Sequence, residues 1–342
     1  MVKRSFTSFR MTAWLVSAMT QNTMQQQHFE MDWAGKKLSV DMGKLAQQTN
    51  GSCVVTYGQT SVLTTVVMTN SQREGVDFLP LMVDYEERFY AAGRIKGSRF
   101  IKKEGRPSDE AVLTGRMVDR SIRPLFPQSM RNDIQVVLTV LSFDNENDPD
   151  IVSLIAASCA LAISDVPWHG PIAGIRVGHI NGEWVANGSY EARAKSDFDL
   201  TLAGNGESVI MIEAGGKEIS EEFMLQAMEF GKKHTKPVVA FIKDIQVKAG
   251  AVKQSWPEAE AIDTTVAELV RALVPRFFFT TPLKAKADRA NAKAMLLKAL
   301  EEELTKSNWT KEKLSDAHDV AGEMIKAEVA RVMLETGKRV DG

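Results

Sequence analysis

Cysteine is scarce, with only Cys53 and Cys159 in 342 residues, each inside an apolar stretch. Two such thiols suit small buried side chains in a reducing compartment and exclude a disulfide-stapled scaffold. No run of about 18 apolar residues occurs, which leaves no candidate transmembrane helix. Strong net charge is also missing, at −2, so any polyanion-binding surface has to be a local patch. No short internal repeat is found. Acidic residues are absent ahead of Glu30, whereas Lys3, Arg4 and Arg10 lie there. That bias is shared with transit peptides; the preferred reading is an unstructured extension over residues 1–28, with Met24 a natural alternative start.

What is present is a chain 44% hydrophobic, enough for one large domain or two ordinary ones. Residues 29–247 mix strand and helix signals. Ser52–Tyr57 and Ser61–Met68, rich in Val and Thr around Gly58-Gln59, predict a hairpin. Asn181-Gly182 and Asn205-Gly206 mark two more hairpin turns. Ile134–Leu141 and Val238–Ile242 read as strands. Ala-rich Asp150–Ile163 reads as a buried helix, and Ser220 as the cap of a helix reaching Lys233. Hairpins with a few helices give the fold class α+β. From residue 248 to 336 the composition turns to Ala, Glu, Lys and Leu. Helices are predicted over Ala285–Leu304 and Lys311–Leu334, as a small all-α domain. Gly337–Gly342 is turn-like.

The richest stretch for chemistry runs from Gly93 to Pro127. Six of the thirteen residues from Arg94 to Arg106 are Lys or Arg, against one acid, Glu104. Arg99, Lys102, Lys103 and Arg106 would neutralise phosphates, and Phe100 offers a face for stacking a base. The plainer alternative is a solvated basic loop. Ser108 then caps a helix with Asp109 and Glu110 in its first turn, closed by Pro124 and Pro127. At about 100° per residue, Arg116, Arg120 and Arg123 fall within roughly 60° of one face. Three fixed donors on one edge suit phosphodiester binding. The alternative is internal pairing with Asp119, Glu86 or Glu87. Asp144–Asp150 has the look of a metal loop, but it lacks a calcium loop's glycine and final acid; a helix cap fits better. No nucleophile elbow, P-loop or His-based metal spacing is found.

Phe89–Ile95, Glu104–Ser108, Arg116–Pro127, Asn147–Ile151 and Gly170–Ala173 together resemble bacterial polynucleotide phosphorylase, and the resemblance extends from Phe29 to Gly342. It implies a first RNase PH-like core (ribosomal protein S5 domain 2-like) over 29–247. A helical linker domain would follow over 248–336, and the opening of a second, truncated core over 337–342. It implies processive 3′-to-5′ phosphorolysis of single-stranded RNA to nucleoside diphosphates, with inorganic phosphate as co-substrate and Mg²⁺ assisting. It further implies a homotrimeric ring, possible RNA-degradosome contacts, a cytoplasmic location and no membrane. The family's phosphate- and metal-binding residues belong to the second core, so this part has no catalytic set to inherit. It would contribute RNA-binding Arg99, Phe100, Lys102, Lys103, Arg106, Arg116, Arg120 and Arg123. The channel loop departs from the family's Phe-Phe-Arg-Arg, since Ile101 stands where a second ring is usual. A rival is a non-catalytic RNA-binding ring subunit of an exosome-like complex.

Overall fold

The computed structural model describes residues 26–73, 76, 78–95, 105–127, 129–256, 264–306, 309 and 311–342. The chain divides into two compact units, Met1–Trp256 and Pro257–Gly342. Most of the expected extension, residues 1–25, lies outside the described residues. Its last members are not unstructured, for Gln27 and His28 open the first strand and pair with Met42 and Asp41.

The first unit holds two sheets. Strands β1 (Gln27–Trp33), β2 (Lys36–Met42), β3 (Gly51–Tyr57), β4 (Thr60–Gln72), β5 (Leu81–Glu86) and β6 (Asn132–Ser142) form the larger one, in the order β1-β2-β3-β4-β6-β5. Only β5 runs parallel to its neighbour, and the crossover that this demands carries helix α1 (Asp109–Ile122). The expected β3–β4 hairpin forms in register, with Tyr57 opposite Thr60. The second sheet has the order β10-β9-β7-β8, from β7 (Ala173–Ile180), β8 (Glu183–Ala186), β9 (Phe198–Gly204) and β10 (Val209–Gly216). Asn181 and Gly182, both at positive φ, make the β7–β8 turn that their identities predict.

Helix α2 (Pro149–Ile163) occupies the middle of this unit. It packs on β3, β4 and β6 of one sheet and on β7 of the other. Every residue from Asp150 to Ile163 is buried, as a helix apolar on all sides requires. Asp148 caps it and Pro149 supplies a first residue with no N–H to satisfy. The approach of β3 is close, because a Cβ on Gly51 would stand 2.4 Å from the Ala160 carbonyl oxygen.

One expectation fails. Val238–Ile242 is no strand but lies within helix α4 (Glu221–Ala249), which Ser220 starts by accepting from the Phe223 N–H at 3.2 Å. Its buried residues, Ala227, Gly231, Thr235, Val238, Val239, Ile242 and Ile245, recur every three to four positions. That helical period outweighs the local β-branched composition, and Pro237 is tolerated on the exposed side. A short helix, α3 (Tyr190–Ala194), precedes β9. The chain after α4 stays with the first unit as far as Trp256. Ala251 N–H donates to Ile163 O at 2.8 Å, and Lys253 Nζ to Leu161 O and Ser164 O at 2.6 and 2.7 Å, all at the carboxyl end of α2. These bonds carry the unit past the composition change near residue 248.

The second unit is all helical: α5 (Thr264–Phe278), α6 (Lys286–Lys306) and α7 (Lys311–Thr336). Val266, Val270, Val274, Leu296, Leu300, Leu304 and Ala321 fill its core. Gly337 at positive φ ends α7, and Leu283 N–H donates to Val340 O at 2.7 Å. Among the described residues no helix is long and apolar enough to cross a membrane.

Gly51→Ala is expected to cost about 1–3 kcal/mol, because the atom in the way is backbone and cannot rotate aside. Urea unfolding followed by tryptophan fluorescence measures it. An unchanged midpoint would mean that β3 and α2 are not in this contact.

Candidate nucleic-acid interface

Four of the expected RNA contacts, Arg99, Phe100, Lys102 and Lys103, lie outside the described residues. The residues on either side of them border a cleft of about 1300 Å³ in the first unit. Its walls come from residues 85–94, from Gly105 and the first half of α1, and from α3. Its floor is the start of α2 and one face of β7, β9 and β10.

Helix α1 begins as the sequence predicts. Ser108 Oγ accepts from Ala111 N–H at 3.0 Å and donates to Glu87 at 3.0 Å, tying the helix start to the end of β5. The three arginines in helical phase have different fates. Arg123 turns its guanidinium onto the domain itself. It donates to Asp119 at 2.9 and 2.7 Å, to Leu79 O at 3.0 Å and to Leu81 O at 3.1 Å. With its donors spent this way, Arg123 clamps α1 to β5. Arg120 pairs with Glu213, the two side chains being half exposed, a pairing worth little in water. Arg116 is exposed and has no partner among the described residues. Arg94 and Arg106, at the mouth of the cleft, are likewise exposed and unpaired.

The floor holds groups that sequence spacing did not single out. Register places Arg176 of β7 opposite Thr201 of β9, and Thr201 opposite Glu213 of β10, as one row across the sheet. Asp199 stands two residues before Thr201 on the same face. Arg176 reaches Asp150, Asp199 at 2.8 Å and Asp148 at 3.5 Å. Arg193 of α3 pairs with Asp148 and approaches Asp199 at 3.9 Å. Three carboxylates therefore share two guanidiniums. Burial and the neighbouring Asp148 charge push the Asp150 carboxyl up to about 7, against the pull of Arg176. The signal for this cluster was present but easy to pass over: an arginine inside the apolar run Ala173–Val177, and polar residues alternating with leucine along β9.

Asp144, from the stretch with a metal-loop look, is a turn former. It accepts from the N–H groups of Gln59, Glu146 and Asn147 at 2.8–3.0 Å. Burial opposes its charge, yet these bonds hold its carboxyl at about 2. Among the described residues no group of three His, Cys, Asp or Glu is arranged to hold a metal ion.

Two sheets around a buried central helix, with a cleft at one sheet face, match a known class. The model of the 3′ exoribonuclease family, domain 1, covers residues 34–167, and that of its domain 2 covers residues 170–234. The chain belongs to the 3′ exoribonuclease family. Within it, the chain is similar to curated proteins named polyribonucleotide nucleotidyltransferase. It is 40% identical over 318 residues to one from Exiguobacterium sibiricum, covering 93% of this chain and 43% of that one. It is 44% identical over 323 residues to one from Nitrobacter winogradskyi, covering 93% and 44%. The chain thus spans less than half the length of these relatives. The rice Rrp46 crystal structure overlays with a TM-score of 0.47 and 16% identity over 67% of this chain and 98% of that one, too distant to carry an argument.

The Asp150 shift has a consequence for stability. A carboxyl raised in the folded state binds a proton more tightly there than in the unfolded chain. Its contribution is full below the ordinary carboxylate value and is lost as pH rises toward about 7. Asp150→Asn, which imitates the protonated form, is expected to flatten this part of the stability profile and raise the melting temperature at pH 8 relative to wild type. A profile between pH 4 and 7 that keeps the wild-type slope would sink the assignment.

Proposed function

We infer that this chain is the RNA-binding amino-terminal portion of a polynucleotide phosphorylase. The whole protein would degrade RNA from its 3′ end, with inorganic phosphate as attacking group and nucleoside diphosphates as products. One observation carries the RNA-binding reading: Arg94 and Arg106, at a cleft whose deeper arginines are already engaged, and Arg116 on α1 stand exposed with no partner among the described residues. Unpaired guanidiniums on a chain of net charge −2 are a local polyanion site, and a single strand brings a row of phosphates. The name and family of the relatives support the same substrate. A trimeric ring, degradosome contacts and a cytoplasmic location belong to this proposal by the same resemblance.

The described residues do not fit Mg²⁺. The cleft carboxylates that could ligate it are engaged by Arg176 and Arg193, and no other cluster of suitable ligands is found among them. No step is therefore assigned to a metal here. The chain's own part is to bind and orient the strand through its phosphates.

Two measurements test this reading. Arg106→Ala combined with Arg116→Ala should weaken oligonucleotide binding and reduce the salt slope by about 1.4, at roughly 0.7 per lost phosphate contact on a single strand. An unchanged slope would return both arginines to ordinary solvated surface. Supplied with polyadenylate, phosphate and Mg²⁺, the purified 342-residue chain should release little or no nucleoside diphosphate; robust release would refute the assignment of catalysis to other parts of the protein.

A further inference from the structure

The cleft sorts its charges by depth. The unpaired cations, Arg94 and Arg106, are at the exposed mouth. The floor arginines, Arg176 and Arg193, face three carboxylates between them. A phosphate that descended to the floor would meet guanidiniums already paired with carboxylates. Burying an anion there is strongly disfavoured.

The floor is nevertheless open to hydrogen bonding. Thr201 is only 4% exposed and lines the cleft, yet its hydroxyl has no partner among the described residues. That hydroxyl is free to bond a ligand or water. Asp199, on the same face, gives one carboxylate oxygen to Arg176 at 2.8 Å and keeps the other without a partner. A donor–acceptor hydroxyl and a bare carboxylate oxygen on one face of β9 complement a flat edge carrying an amino group beside a ring nitrogen. Tyr190 lines the same cleft. It is 41% exposed in the cleft, with Phe143 against it edge-on at 6.0 Å and the Arg193 guanidinium 5.2 Å from its ring centre. Contact between bases and aromatic rings is a principal source of single-strand affinity.

We propose that the cleft admits one nucleotide base first, with the base beside Tyr190, its amino-bearing edge on Thr201 and Asp199, and its phosphate held outside by Arg94 and Arg106. This deepens the RNA reading and rests on it. The chemistry is the same for the end of a strand and for a free nucleotide, and it selects a base with an exocyclic amino group, such as adenine.

Thr201→Val keeps the side-chain shape and removes the hydroxyl, and Thr201→Ser restores it. AMP, ribose 5-phosphate and a short oligoadenylate are titrated against wild type and both variants of the 342-residue chain by calorimetry. Wild type should bind AMP more tightly than ribose 5-phosphate. Thr201→Val should weaken binding of the base-bearing ligands about threefold to tenfold, leave ribose 5-phosphate unaffected, and be rescued by Thr201→Ser. Weakening with AMP identifies a free nucleotide as a competent occupant; weakening with oligoadenylate alone identifies the strand end. Ribose 5-phosphate binding as well as AMP, or Thr201→Val binding both base-bearing ligands like wild type, overturns the proposal. If oligoadenylate binding then still falls on Arg94→Ala with Arg106→Ala, the RNA-wall reading survives without it. If wild type binds no RNA, both readings fall.

Discussion

The guanidinium of Arg176 and the three carboxylates around it hold the first unit's architecture together at one point. Asp148 and Asp150 belong to the start of α2, the helix between the two sheets, and Asp199 to the second sheet. Acids at a helix start are favoured by the N-terminal dipole, so α2 brings its charges to the one end where they cost least. Arg176 then ties that end to β7 and β9, and Arg193 adds α3. A buried ion group of this kind gives little net stability over an apolar replacement, but loss of Arg176 would leave its carboxylates uncompensated. It therefore acts on geometry more than on total energy. It sets where α2 meets the second sheet, and so where the cleft has its floor.

The same cluster decides what the cleft does with charge. Counting cationic side chains overstates the surface available to a polyanion, because most of these arginines are committed elsewhere. Arg123 clamps α1 to β5, Arg120 leans on Glu213, and Arg176 and Arg193 serve the floor. What remains among the described residues is Arg94 and Arg106, exposed and unpaired over a neutral-to-acidic interior. Long-range attraction then brings a strand to the mouth, while the interior rejects phosphate and leaves room for uncharged, donor-bearing groups. Attraction and selection are performed by different residues at different depths.

Much of this was legible in the sequence, and the failures have physical causes. Hairpin turns at Asn181-Gly182 and Asn205-Gly206, the cap at Ser108 and the buried α2 depend on local chemistry, and local chemistry is what a single sequence carries. Helical phase placed Arg116, Arg120 and Arg123 on one edge, but phase says nothing about acceptors from β5 or β10, which lie far away along the chain. The strand expected at Val238–Ile242 shows the converse. Its β-branched residues fit either period, and only the burial pattern from Ala227 to Ile245 reveals the helical one. β5 escaped notice for a related reason: as a parallel edge strand it is specified by its pairing to β6. The floor row of Arg176, Thr201 and Glu213 comes from register across three strands, which no spacing within one segment encodes.

The engagement of the floor carboxylates also bears on what could compete for them. A metal ion would have to displace a guanidinium that already satisfies two or three carboxylates, and would then leave that guanidinium buried without a partner. A phosphate would have to displace carboxylates that are part of the chain. A neutral hydrogen-bonding group displaces neither, since Thr201 and the free oxygen of Asp199 have capacity to spare. The ion cluster therefore restricts the floor to uncharged partners without touching them, and the free arginines at the rim hold the charged part of the ligand where water can still screen it.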